Sequence, residues 1–292
     1  MDGFINLDKP LGPTSHDMVA YARRVLRQAG LRQVKVGHAG TLDPSATGVL
    51  LLCLGRATRL SEYVMAHDKT YVAHIRLGES TTTYDAEGQV IGRHDASGVD
   101  LEQVEAVLPR FIGQIDQLPP IYSAIKQDGR KLYELARAGE AVELVPRAVR
   151  IDRLTVLDWS NPELALEIVC SSGTYVRSLA HDLGQALGVG AHLVALRRTR
   201  SGRFDVAQAC TLKQLTDVEA LRAQLVSPSQ AFGESQMIRL NAAQIAELRL
   251  GRPIIRSAED ERDWVLALDE EGAAVAVLRP GVGRWWPHKV LA

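Results

Sequence analysis

The sequence predicts an α+β fold. Apolar periodicity along the 292 residues switches repeatedly between two and 3.6, which fits neither a helical bundle nor an all-β protein. A hydrophobic fraction of 46% with 24% charged residues is ordinary globular composition, with enough apolar material for a large core. The length suits one large domain, or one core domain with a small appendage.

Lys plus Arg is 34 and Asp plus Glu is 35, a formal charge of -1. The whole-chain balance therefore gives no electrostatic case for a polyanionic partner, and basic residues serving one would have to gather on one face. Cys53, Cys170 and Cys210 lie far apart without a Cys-x-x-Cys pair, which argues against a disulfide scaffold or a zinc ribbon and for a reducing compartment. The N-terminal residues lack a basic and an apolar signal region, and the longest aliphatic run, Val49 to Leu54, is too short to cross a bilayer. A cytoplasmic protein without a membrane anchor is expected.

Taken in order, Phe4 to Leu7 reads as a short strand ended by Lys9-Pro-Leu-Gly-Pro13. Thr14 or Ser15 then caps a helix whose apolar Val19, Ala22, Val25 and Leu26 share a face, ending near Gly30. Its exposed side begins a basic stretch, Arg23 to Lys35, with no acid after Asp17. Val34 to Val36 and Val49 to Leu54 read as short buried elements around Gly37-His-Ala-Gly-Thr-Leu-Asp-Pro-Ser-Ala-Thr-Gly48. Thr70 to Leu77 alternates as a strand, and Glu79 to Gly88 reads as a polar loop closing on a turn. Helical spacing covers 101–112, an irregular stretch opens at Gln117, and Lys131 to Ala138 reads as a short basic helix. Leu164 to Val169 is a strand, Thr174 to Leu187 a helix, and Leu193 to Arg203 an arginine-rich segment. Asn241 to Leu250 reads as a helix stopped by Gly251, and Trp264 to Asp269 with Ala273 to Leu278 as a hairpin of a small, separate β module.

No phosphate-binding, dinucleotide, serine-nucleophile or zinc-protease motif is present, and the eight histidines lack metal-ligand spacing. Chemistry would have to rest on carboxylates and simple polar groups. Asp43 is the best candidate: Pro44 biases it toward an extended backbone, and Gly37, Gly40 and Gly48 permit close approach of a ligand, although Asp-Pro also simply starts turns. Tyr71 opens an alternating strand, where an ordinary β-former is the plain alternative. Arg177 follows a glycine turn at a helix start, a place from which a cation can be aimed into a cleft and keep a carboxylate ionised; a solvated helix arginine is the plain alternative there.

Seven segments together resemble the TruB-type family of tRNA pseudouridine synthases, in the family's order and spacing. They are Asn6-Leu-Asp-Lys-Pro-Leu-Gly-Pro-Thr-Ser15, Gly37 to Gly48, Lys69-Thr-Tyr71 with Leu77-Gly78, Thr81-Thr-Thr-Tyr-Asp85, Pro119-Pro-Ile-Tyr-Ser-Ala-Ile-Lys126, Gly173-Thr-Tyr-Val-Arg-Ser-Leu-Ala180 and Leu196-Arg-Arg-Thr-Arg-Ser-Gly202. The resemblance implies a pseudouridine synthase fold: a long mixed, mainly antiparallel sheet flanked by helices over 1–236, with an RNA-gripping insertion at about 117–150, and a PUA-like β module over 237–292. It implies an isomerase acting on uridine 55 in the T-arm of tRNA by base flipping, cleavage at N1 and reattachment through C5. No metal, redox carrier or other cofactor is implied, nor any protein partner, and a monomer is expected.

The resemblance also assigns roles. Asp43 matches the catalytic aspartate, acting either as a nucleophile or by abstracting a ribose proton. Tyr71 matches the active-site tyrosine, whose ring would stack on the flipped uracil and whose hydroxyl would help remove the C5 proton. Arg177 matches the arginine expected to pair with Asp43, with Asp85 orienting it. Leu196 would line the uracil pocket, and His38 would fill the gap left by the flipped base. Lys126 and Tyr175 are expected to contact the RNA.

Overall fold

The computed structural model describes residues 1–121, 126–127, 130–131 and 144–291, with backbone alone at 126–127 and 130–131. Two units divide the chain: Met1–Pro44 with Val49–Met65 and Arg203–Ala292, and Ser45–Gly48 with Ala66–Gly202.

The second unit is organised by the strand Lys69–Leu77. Its alternation buries Lys69, Tyr71, Ala73, Ile75 and Leu77 and turns the residues between them outward, as a pleated strand with one covered face requires. On one side it pairs antiparallel with Glu163–Cys170, Tyr71 opposite Ile168; on the other it pairs antiparallel with Ala191–Ser201, Leu196 opposite Ala73 and Arg198 opposite Tyr71. Beyond Glu163–Cys170 lie Arg147–Ser160 and then Gly113–Gln117, both antiparallel. Ala46–Gly48 adds a parallel pairing to Leu196–Arg198, which makes the sheet mixed but mainly antiparallel. The helix Val176–Ala186 packs on the Ala191–Ser201 strand and buries Val176, Leu179, Ala180 and Leu183, spaced as one helical face.

Two local expectations change, and a third falls largely outside the described residues. The segment after Glu79 is not all loop, because Glu79–Thr81 pairs antiparallel with Val90–Arg93 and leaves only 82–89 as the turn. The strand before the Asp43 loop is Val36–Ala39, while Val34 lies in a turn closed by its amide on the Leu31 carbonyl. Lys126–Gln127 pairs with Arg130–Lys131; the basic helix expected onward to Ala138, and the side chain of Lys126, lie outside the described residues.

In the first unit, Thr14 caps the helix Ser15–Gln28 in a reciprocal capping box with Asp17. Gly3–Lys9 pairs with Leu225–Val226, and Val36–Ala39 pairs antiparallel with Leu51–Leu54. The C-terminal sheet runs in the order Met237–Arg239, Val265–Leu268, Ala274–Gly281, Arg284–Val290, Ile254–Ile255. Both its faces are covered. Leu266, Leu268 and Val277 enter a core with Phe4, Val49 and Phe232, while Val265, Ala267 and Leu278 enter a smaller one with Leu248 and Trp285. The module therefore has one core to itself and shares the other with the N-terminal strands.

The strand Ala46–Leu54 belongs to both sets of pairings: its first three residues pair with Leu196–Arg198, and the rest lie in the first unit. Gly48 ends the first part with φ +101, and a Cβ there would stand 2.2 Å from the Arg198 carbonyl oxygen. Neither the conformation nor the space admits a side chain. Gly48→Ala should cost about 3 kcal/mol or more of stability, read from urea unfolding against the wild-type chain.

Candidate active site

Asp43 sits half-buried in the loop that joins Val36–Ala39 to Ala46–Leu54, and its position follows from how that loop is tied to the segment after the first strand. The Ser15 hydroxyl donates to the Leu42 carbonyl and accepts from the Leu42 amide, each at 2.9 Å, and the Gly12 amide donates to the Pro44 carbonyl at 2.9 Å. Lys9 completes the tie. Its fully buried ammonium donates to the carbonyls of Pro10 at 2.9 Å, Pro13 at 2.8 Å and Pro44 at 3.4 Å. Burial pulls the Lys9 pKa below the usual lysine range, while the carboxylates of Asp43 and Asp17 pull it back up. Asp43 thus has a cation within electrostatic reach in its own unit. His38 lies half-buried on the preceding strand, opposite Leu52.

In the second unit Tyr71, 8% exposed, stands on the central strand between Ile168 and Arg198. Leu196 lies on the neighbouring strand between Ala73 and Ala46. Lys69 shares the buried face of Tyr71 and donates to the His67 carbonyl; burial, reinforced by the charge of Arg198, pushes its pKa down to about 8.

Arg177 and Asp85 form a buried ion pair, Nη1 to Oδ2 3.3 Å, with side chains 8% and 9% exposed. The same Nη1 lies 3.5 Å from the Thr83 carbonyl oxygen. The other Asp85 oxygen accepts from the Thr83 hydroxyl and from the Glu87 amide, so both carboxylate oxygens are held. The helix that carries Arg177 is clamped at its start: the buried Gln117 amide accepts from the Tyr175 N–H at 2.7 Å and donates to its carbonyl at 3.0 Å, while the Ser178 hydroxyl donates to Leu118 O at 2.7 Å. Tyr175 is the residue before the first helical turn, so this clamp fixes its backbone.

Of the residues singled out in the sequence, the structure brings Arg177 and Asp85 into contact and sets Tyr71 and Leu196 on adjacent strands, while Asp43 and His38 lie in the first unit. Lys9, Lys69 and Gln117 were not singled out. All three are buried polar groups, and the one signal of them in the sequence is that Lys9 and Lys69 stand inside the quoted motifs.

Two outcomes follow from this geometry. Asp85→Ala leaves the Arg177 guanidinium buried without its carboxylate and should cost about 3–5 kcal/mol, whereas the double variant Asp85→Leu with Arg177→Met should lose less than the single one in the same unfolding measurement. Lys9→Met removes the shared donor of three carbonyls and should cost about 2–4 kcal/mol, with faster hydrogen exchange at the amides of Gly12 and Leu42 than in the wild-type chain.

Comparison with known proteins adds the lineage. The model of the "TruB family pseudouridylate synthase (N terminal domain)" matches residues 23–176, and that of the "tRNA pseudouridylate synthase B C-terminal domain" matches 177–241. The chain is 48% identical to a tRNA pseudouridine synthase B of Symbiobacterium thermophilum over 88% of this chain and 84% of that one. It is 44% identical to the protein of that name from Dechloromonas aromatica, over 100% of this chain and 96% of that one. Among solved structures, a chain from the crystal structure of a Cbf5-Nop10-Gar1 complex superposes with a TM-score of 0.76 at 28% identity, covering 99% of this chain and 85% of that one. The clamped Asp43 loop, the Tyr71 strand and the Arg177 helix are therefore parts of a pseudouridine synthase fold, and the chain belongs to the TruB family of pseudouridylate synthases.

Proposed function

We propose that this chain isomerises uridine 55 in the T-arm of tRNA to pseudouridine, with Asp43 as the catalytic carboxylate. The relatives are named tRNA pseudouridine synthase B, and this chain spans most of their length. One observation carries the assignment of Asp43: its loop is clamped on both sides of it, by Ser15 at Leu42 and by Gly12 and Lys9 at Pro44, which holds one carboxylate still beside a cation.

The chemistry is balanced within the nucleotide. The bond from N1 to the ribose breaks, a bond from C5 to the same ribose carbon forms, C5 loses a proton and N1 gains one. No oxidant, reductant or energy source enters. The barrier must then be lowered by position and charge, which is what a carboxylate on a clamped loop supplies. Asp43 drives cleavage by attack on the nucleotide or by taking a ribose proton, and Arg177, steadied by Asp85, is in this reading the cation that pairs with it.

A uridine inside a folded RNA arm reaches such a carboxylate only after flipping out, at a few kcal/mol of lost stacking. Tyr71 would recover about 1–3 kcal/mol of this by stacking on the uracil. Leu196 lines the pocket, and His38 fills the gap in the arm. The insertion at about 117–150, with Lys126, and Tyr175 at the adjoining helix start grip the RNA. The division at 236/237, the PUA-like character of the C-terminal sheet, a cytoplasmic location and a monomeric state belong to the same reading. Among the described residues no helix is long and apolar enough to cross a membrane.

The deciding experiment incubates a T-arm stem-loop RNA with wild-type protein and with Asp43→Asn and analyses the nucleosides. Pseudouridine at the target position should form with the wild-type chain and fall by about three orders of magnitude or more with the variant, while RNA binding stays within a few-fold. Normal product from Asp43→Asn would remove Asp43 from the mechanism.

A further inference from the structure

The helix Val176–Ala186 meets the turn after Thr81 through two side chains one helical turn apart. Arg177 takes the Asp85 carboxylate and the Thr83 carbonyl. His181, four residues on and so on the same face, stacks on Tyr84 with ring centroids 4.0 Å apart and an interplanar angle of 18°.

Tyr84 is the non-glycine residue with positive φ among the described residues, at 63°. A bulky side chain adopts that conformation only where its surroundings hold it there, and such residues gather at functional sites. Here the turn has a visible consequence. Thr83 and Asp85, the neighbours on either side of Tyr84, both present an acceptor to the same guanidinium. The Tyr84 carbonyl accepts from the Leu193 amide at 3.0 Å, and the Ala86 amide donates to the Leu193 carbonyl at 2.9 Å, which ties the turn to the strand that carries Leu196.

The imidazole of His181 meets Tyr84 through its flat face. Its Nδ1 is buried with no hydrogen-bond partner among the described residues, and burial holds its pKa below the usual imidazole range against the opposing pull of Asp182. A ring serving as a stacking surface needs no partner at that nitrogen.

We infer that Tyr84 and His181 are positioning residues for Arg177: their stack holds Tyr84 in its left-handed turn and so keeps Thr83 and Asp85 on the guanidinium. This rests on the reading above in which Arg177 serves the isomerisation, and the experiment separates the two. Single-turnover pseudouridine formation on the T-arm stem-loop RNA is measured for the wild-type chain, His181→Ala, His181→Phe and Tyr84→Gly, with the half-saturating RNA concentration and the melting temperature of each. His181→Ala should lower the limiting rate about tenfold with half-saturation within twofold, and His181→Phe, which keeps the flat ring without the nitrogens, should retain at least half of the wild-type rate. Tyr84→Gly fits the left-handed turn without strain but lacks the ring; it should show the same split as His181→Ala and stands in for it if that variant does not fold. An unchanged limiting rate in His181→Ala or Tyr84→Gly overturns the inference. So does a loss in His181→Ala that His181→Phe fails to restore, or a loss carried by half-saturation, which would mean direct contact with RNA. Absence of product from the wild-type chain would instead overturn the functional reading, and this inference with it.

Discussion

A buried lysine ammonium is the constraint around which the Asp43 loop is built. Taking a charge out of solvent is costly, and Lys9 offsets that cost by collecting three backbone carbonyls, two from its own turn and one from Pro44, 35 residues away, helped by the charges of Asp43 and Asp17. The arrangement works in both directions. The carbonyls make the charge tolerable, and the charge fixes the spacing of the two chain segments that supply them. Asp43, one residue before Pro44, inherits that fixed position together with a positive neighbour. Ser15 closes the same contact from the other side through Leu42, so the loop is held by bonds at the residues flanking Asp43.

The second unit solves a similar problem by other means. Its central strand is covered on both edges, and this fixes the register of Tyr71 against Arg198 on one side and Ile168 on the other. A slip of one residue would turn Tyr71 outward and bury Thr70 or Val72 in its place, so the alternation that builds the core also aims the ring. Arg177 is fixed by its ion pair and by the Gln117 clamp at the start of its helix, two restraints that act at different ends of the same turn. Rigid elements and locked polar partners are what a reaction driven by position needs.

Much of this was legible in the sequence, and the limits have physical causes. The Thr14 cap and the alternating Tyr71 strand follow from local rules, because capping chemistry and period-two burial act between near neighbours. The long strand Arg147–Ser160 was illegible: only Val149, Ile151 and Leu154 on it are buried, too few to mark a period. Asp43 could not be separated from a turn residue by spacing; it emerged through the motif around it. Gln117 and Lys9 were hidden for a further reason. Their roles depend on carbonyls and amides 58 and 35 residues distant, and nothing local distinguishes a buried amide or ammonium from a solvated one. Tyr84 gave no sign either, since a left-handed residue other than glycine is set by its tertiary partners.

The formal charge of -1 concealed an asymmetry that burial exposes. In the second unit the buried charged side chains among the described residues are Lys69, Arg177 and Arg198 against the single carboxylate of Asp85. The surface balances this with acids that solvent screens, such as Asp68 and Asp152, each exposed and paired with Arg150. Charges in the interior are screened far less than those at the surface, so the buried set weighs more than the total near the Tyr71 strand. Arg198 acts on Lys69 in the same sense: burial comes first, and the neighbouring positive charge adds to the depression of the Lys69 pKa to about 8. A protein with no net attraction for a polyanion thus buries Lys69 and Arg198 on and beside the strand proposed to receive the flipped base. Counting residues averages that away, and only their burial restores it.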